Sequence, residues 1–127
     1  MKPLVITLLV VALLFTGLFL LQADLFRGLD NVAEMVDLLE QQLSNGQPEE
    51  AKITADEIII YWEKHHGLWE MFVDHGHLDQ SEEAMYALQQ LVGCEAEEAM
   101  WRENMAKFRF STEHIREQNT LGFGALL

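Results

Sequence analysis

The sequence predicts an all-α protein in which an N-terminal transmembrane helix continues into an antiparallel bundle of about four helices. An uncharged apolar run occupies residues 3–21, and apolar residues recur at spacings of three and four along the rest of the chain. Short segments containing Gly, Asn or Pro interrupt that pattern and predict turns. We divide the chain into a transmembrane anchor at 1–22, an acidic helical-bundle domain at 23–120 and an apolar tail at 121–127.

The apolar run has the length and composition of a membrane span. Fourteen of the residues from Leu4 to Leu21 are Leu, Ile, Val or Phe, which together favour insertion by roughly 4 to 8 kcal/mol. A helix of this length covers about 28 Å, close to the hydrocarbon thickness of a bilayer. A cleaved signal peptide has a shorter core and a small residue where Leu21 stands, two positions before Ala23. We therefore predict an uncleaved anchor that contacts the lipid bilayer through residues 3–21.

Charges on the two sides of the run predict its orientation. Lys2 and the amino terminus precede it, whereas Asp24, Arg27 and Asp30 follow it. By the positive-inside tendency, the N-terminus is cytoplasmic. The expected location is the cell membrane, crossed once, with the C-terminal domain on the extracytoplasmic side.

The remaining chain is strongly acidic. After Lys2, seven Lys and Arg face 21 Asp and Glu. Nucleic acid is excluded as a partner because phosphate binding requires a basic face. Cys94 is the single cysteine, so no intramolecular disulfide forms. We expect it half-buried at a helix end, with cross-linking between two copies as the alternative.

Four helices are expected from the apolar stripes. The first continues unbroken from the span and ends at 44–46, and the second starts at Gln47-Pro48 with acids in its first turn. A break is expected at 74–77, with Asp79 and Glu82 forming a capping box for the third helix. After a turn at Gly93–Glu95, the fourth helix starts near Ala96 and fades near Gln118. The four predicted stripes are, in order, Leu25, Leu29, Val32, Val36, Leu39 and Leu43; Ala51, Ala55, Ile58, Trp62, His65, Trp69 and Phe72, widened by Ile59, Leu68 and Val73; Leu78, Met85, Leu88 and Val92, flanked by Ala84 and Leu91; and Trp101, Met105, Phe108 and Ile115.

Histidines raise the question of a metal site, for which the sequence gives weak support. Glu63-x-x-His66 has the spacing found in di-iron bundles, but a second such unit is missing because Ser111 stands three residues before His114. The weak candidate ligands for a single cation are Asp74, His75, His77 and Asp79, residue types that turns and helix caps also collect. We expect no metal and no cofactor.

Four aromatic residues are the candidates for an interaction site. Trp62, His65, Trp69 and Trp101 all fall on predicted helical stripes, where core packing is the commoner role. His65 is also a possible pH-sensitive element. The two serines that follow the anchor most closely, Ser44 and Ser81, lie in no nucleophile pattern. We expect no catalytic residue, and hence no enzyme.

The order of features resembles domain-of-unknown-function family 4363, a group of small bacterial membrane-anchored helical proteins. The resemblance rests on Ile58-x-x-x-Trp62, Asp74-His75, Leu78-Asp79 and Glu113-His114-Ile115. It implies the same anchor and helical remainder and marks Trp62 and His75 as family-typical positions. It also implies a larger integral membrane protein encoded nearby. The glycine-containing end, 121–127, departs from the polar end expected of the family.

Two functions remain open from the sequence. The first is a non-enzymatic accessory or protein-interaction module that docks on another integral membrane protein or on a second copy of itself. The alternative is a membrane-tethered domain that binds a cation or small ligand through its acidic, histidine-containing surface. The tail at 121–127 packs on the bundle, touches the membrane or engages a partner, and the sequence does not rank these three.

Overall fold

The computed structural model describes the backbone of residues 1–94 and 96–126 and the side chains of 1–94 and 96–120. Over these residues the chain is all-α, as the sequence predicts. The helices are α1 (Lys2–Ser44), α2 (Pro48–Trp69), α3 (His75–Gly93) and α4 (Glu98–Leu126).

Helix α1 is one rod of 43 residues, about 64 Å long. The apolar run forms its N-terminal half and touches no other part of the described chain closely enough to be buried. Burial begins at Leu25 and recurs along one face as far as Leu39. The prediction of a helix that runs from the apolar segment into the bundle without a break is confirmed.

The turn between α1 and α2 also follows the prediction. Gly46 adopts a φ of 69°, a left-handed conformation that costs glycine little. Pro48 is the first residue of α2, where its missing N–H would have no helical partner. Glu49 and Glu50 occupy the first turn, at the positive end of the helix dipole.

The predicted start of α3 at an Asp79 capping box is wrong. The helix begins one turn earlier, at His75, because the Asp74 side chain accepts a hydrogen bond from the Gly76 N–H at 3.3 Å. An aspartate at this position satisfies an N–H that the helix itself leaves unpaired. The break between α2 and α3 therefore spans 70–74.

Two predictions near the ends of the last helices also need correction. The backbone of α4 does not fade near Gln118 but remains helical through Leu126; the side chains of the tail at 121–127 lie outside the described residues. Cys94, expected to be half-buried, is exposed at the end of α3. Of the predicted turn at 93–95, Glu95 lies outside the described residues.

Successive helices are antiparallel neighbours, and α4 returns beside α1 to close the bundle. The largest side chains of the core are aromatic. Trp62 meets Trp69 edge-on, with ring centroids 5.2 Å apart, and lies 5.9 Å from the ring of Phe108. Such contacts add to the stabilisation that burial provides. The other buried apolar residues are Leu25, Leu29, Val32, Val36, Leu39, Ala51, Ala55, Ile58, Ile59, Val73, Leu78, Ala84, Met85, Leu88, Val92, Trp101, Met105 and Ile115.

A close contact between α1 and α2 fixes how deeply Trp69 packs. A Cβ built on Gly28 would lie 2.9 Å from Trp69 Cη2, and closer still to the neighbouring ring carbon Cζ2. Real Cβ atoms do not approach a ring this closely. Glycine at position 28 therefore allows the indole to lie directly against the α1 backbone.

We predict that Gly28→Ala destabilises the domain by about 1–3 kcal/mol, because the added methyl group forces the Trp69 ring out of its place. Gly67→Ala is the matched control: it is also helical but has nothing within 4 Å of the new Cβ, and should stabilise by about 0.5–1 kcal/mol. Denaturation followed by circular dichroism measures both. Equal effects of the two substitutions would show that the Gly28 contact is unimportant.

Candidate functional site

The polar side chains of greatest interest lie at the end of the bundle nearest the apolar run, which we call the span-side end. Asp24 is the first charged residue after that run, and Trp69 is the last residue of α2. The Trp69 indole N–H donates to Asp24 Oδ2 at 3.3 Å. His65 Nδ1 lies 3.8 Å from the same oxygen, and its ring stacks on Trp69 at 5.6 Å. Asp24, His65 and Trp69 form what we call the junction cluster, which joins the end of α2 to the point where α1 leaves the apolar run.

A second polar group, around Glu82, lies between α2 and α3. Glu82 Oε1 accepts a hydrogen bond from the Trp62 indole at 3.0 Å and is also 2.5 Å from His66 Nδ1. That nitrogen is buried without a partner in hydrogen-bond geometry, so the short distance reflects proximity rather than a well-aligned bond. His66 Nε2 lies 3.4 Å from Glu70. His66 is thus held between two carboxylates, one on each side of its ring.

Glu63 and His66, which have the Glu-x-x-His spacing, contact different residues. Glu63 accepts a hydrogen bond from the Tyr86 hydroxyl of α3 at 2.8 Å, whereas His66 is directed to Glu82 and Glu70. The two side chains therefore have different partners although they share a helical face.

Two of the four weak candidate ligands for a cation, Asp74 and His77, face each other, whereas His75 faces a different carboxylate. Asp74 caps α3 and lies 3.6 Å from His77 Nε2, while His75 Nδ1 faces Glu70 at 3.7 Å. Asp79 is exposed inside α3 and does not begin the helix. Across the parts of the chain that the structure describes, no three His, Cys, Asp or Glu side chains are placed to hold one metal ion.

The aromatic interaction candidates lie mainly inside the domain. Trp62 and Trp69 are fully buried and Trp101 nearly so, which makes them core residues with little surface for a partner. His65 is half-buried in the junction cluster. Trp62 and Trp69 expose no surface to a ligand while the bundle is folded, whereas Trp101 lines a surface pocket together with Leu43, Pro48 and Val92.

Two contacts between α3 and α4 were missed by the sequence analysis. The Ser81 hydroxyl donates to Ser111 Oγ at 2.9 Å in the core, and Ser111 Oγ donates to the Phe108 carbonyl. His77 meets His114 with ring centroids 4.5 Å apart. The serine contact had a usable signal, because Ser111 falls on the three-four spacing between Phe108 and Ile115.

A family model matches most of the chain. The model of a domain of unknown function, DUF4363, matches residues 19–125. The chain belongs to this family. The match begins inside the apolar half of α1 and covers the whole helical bundle, including both the junction cluster and the group around Glu82. No curated protein and no solved structure matches the chain.

The Tyr86–Glu63 contact generates a pH-dependent prediction. The hydrogen bond to Glu63 raises the pKa of Tyr86 above its usual value of 10, and partial burial adds to this. Because the pKa is raised in the folded state, the contact stabilises the domain below pH 10 and is lost as the pH rises through the folded value. At neutral pH we expect Tyr86→Phe to cost about 0.5 kcal/mol, since the pair is solvent-exposed.

The measurement is the difference in unfolding free energy between wild type and Tyr86→Phe from pH 7 to 11.5. That difference should shrink above pH 10. Glu63→Gln is the control and should reduce the alkaline dependence in the same way. A wild-type advantage that stays constant up to pH 11.5 would contradict the assignment.

Proposed function

We propose that this chain is a single-pass membrane protein with an extracytoplasmic helical domain, acting as a non-enzymatic accessory module for another integral membrane protein or for a second copy of itself. The observation that carries the proposal is α1, an apolar helix that is unburied along its N-terminal half and enters the bundle without a break. This arrangement gives the domain an anchor and a fixed position relative to it.

Both the apolar side chains and the hydroxyl groups of the N-terminal half of α1 suit a lipid environment. Leu9 is 60% exposed and Leu13 71% exposed, and a contiguous apolar surface of this extent is rare on soluble monomers. The hydroxyls of Thr7 and Thr16 each donate to a carbonyl four residues earlier, at 2.8 Å. Their hydrogen bonds are thus satisfied within the helix, as the hydrocarbon core requires.

Charge supports the proposed orientation. Lys2 stands before the span, and positive residues are retained on the cytoplasmic side.

The domain that follows the span carries seven basic and 21 acidic residues, a balance that disfavours contact with anionic lipid headgroups.

The accessory role is supported by the free surface of the span. Within the residues that the structure describes, the apolar half of α1 is unburied, which leaves surface open to lipid or to a second transmembrane helix. Cation binding is not proposed, because Asp74 caps α3 and faces His77, whereas His75 faces Glu70.

Replacing Leu9 and Leu13 together by arginine should abolish membrane association, because each arginine near the span centre costs about 2.5–3.5 kcal/mol. Ile53→Arg with Ile60→Arg is the matched control, since these side chains are 59% and 65% exposed on the bundle. Fractionation at alkaline pH should leave the control in the pellet and release the first variant. Retention of both would refute the anchor.

Orientation and partnership need separate experiments. A phosphatase that is active only outside the cytoplasm, fused after Leu127, should be active in cells. Cross-linking in native membranes, followed by mass spectrometry, should recover either another membrane protein or a dimer of this chain. An inactive phosphatase would reverse the orientation, and recovery of monomer alone would reject the accessory role.

A further inference from the structure

The span-side end of the bundle exposes apolar side chains where α2 passes into α3. Met71 is 76% exposed and Leu68 38% exposed, and the neighbouring Phe72 packs partly against the core. We call Leu68, Met71 and Phe72 the apolar rim. A turn of this kind normally carries polar residues, so the exposed Met71 and Leu68 call for a physical explanation.

The pairing of α1 with α2 fixes the height of this rim along α1. Thr54 donates to Gln42 at 2.6 Å, Asn31 donates to Tyr61 at 2.9 Å, and Trp69 donates to Asp24 at 3.3 Å. Each step toward the end of α2 is therefore a step along α1 toward the span. Asp24 lies three residues after Leu21, or about 4.5 Å along the helix axis. The rim residues lie within three positions of Trp69 in the sequence and so lie close to the level of the last turn of the apolar run.

Helix α4 reaches the same level from the other side. The Gln22 amide donates to the Asn119 carbonyl at 3.5 Å, and the α4 backbone stays helical to Leu126. Seven more residues of helical backbone add roughly 10 Å to the length of α4 beyond Asn119. The sequence beyond Asn119 contains no charged side chain.

The opposite end of the bundle has a different composition. Its α1–α2 connection is Ser44-Asn45-Gly46-Gln47, and Cys94 and Glu97 are exposed beside it. Met100 is 49% exposed there, and Ile53, in the second turn of α2, is 59% exposed. Exposed apolar side chains therefore occur at both ends, and the rim is the group at the end where α1 enters the apolar run.

We propose that the apolar rim seats on the bilayer that α1 crosses, with Leu68 and Met71 at the boundary between headgroups and acyl chains. This inference rests on the proposed membrane location. Because α1 continues as one helix from the span into the bundle, the rim is held beside the lipid surface. A tethered contact loses less entropy than a free encounter, so a small apolar contact contributes to setting the tilt of the domain. Glu70, Asp74 and His75 surround the rim, which favours zwitterionic over anionic lipid.

Site-directed spin labelling of the full chain tests this inference. In a Cys94→Ser background, single cysteines replace Met71, Leu13 or Met100, and the labelled proteins are placed in nanodiscs of zwitterionic phosphatidylcholine. Accessibility to oxygen, which concentrates in lipid, is compared with accessibility to a water-soluble nickel chelate. Met100 is the matched control because it is an exposed methionine at the far end of the bundle.

Labels at position 71 should favour oxygen over the nickel chelate by several-fold relative to labels at position 100. A water-like result at 71 with a lipid-like result at 13 would overturn the seated rim while leaving the anchor intact. A water-like result at 13 would overturn the membrane proposal itself. Lipid-like results at both 71 and 100 would also contradict the inference, since the domain would then lie on its side.

Discussion

The structure depends on one constraint, the continuity of the α1 backbone. The N-terminal half of this helix is unburied within the described chain, and its C-terminal half supplies one wall of the core. An unbroken helix carries its direction from the apolar run into the bundle. Helices α2 and α4 are placed by their pairing with α1, and α3 packs on α2 and α4. Asp24 marks the change of environment, and Trp69 and His65 gather around its carboxylate.

The bundle is held together by buried apolar side chains and by polar contacts between its helices. The paired Trp62 and Trp69 rings and Phe108 fill the centre, where aromatic burial contributes most. Arg109 contacts Asp37 and Glu40, and Arg116 contacts Asp30, so α4 is tied to α1 at two heights. Ion pairs exposed to solvent add little free energy. Their role here is to select the register of α4 against α1 in a strongly acidic domain.

The sequence predicted the helices and their buried faces well, because each stripe is set by many residues at once. Trp62, Val36 and Ile115 were all placed in the core by spacing alone. Helix ends were predicted less well, since a single cap decides them: the Asp74 side chain starts α3 one turn before the capping box at Asp79 would have done. Polar contacts between helices were predicted least. The approach of His66 to Glu82, or of His77 to His114, depends on the register between two helices, which periodicity within one helix does not contain.

The features that the sequence predicts best are also those on which the proposed function depends. The anchor and the stripes, which the sequence predicts most firmly, are the features on which the proposed membrane location depends. In that proposal, the search for a partner is confined to the plane of the membrane, so a weaker contact suffices. The proposed rim at the lipid boundary rests on the continuity of α1 and on the pairing of α1 with α2. In the proposed accessory role, a membrane partner would present its surface at the height at which α1 places the bundle.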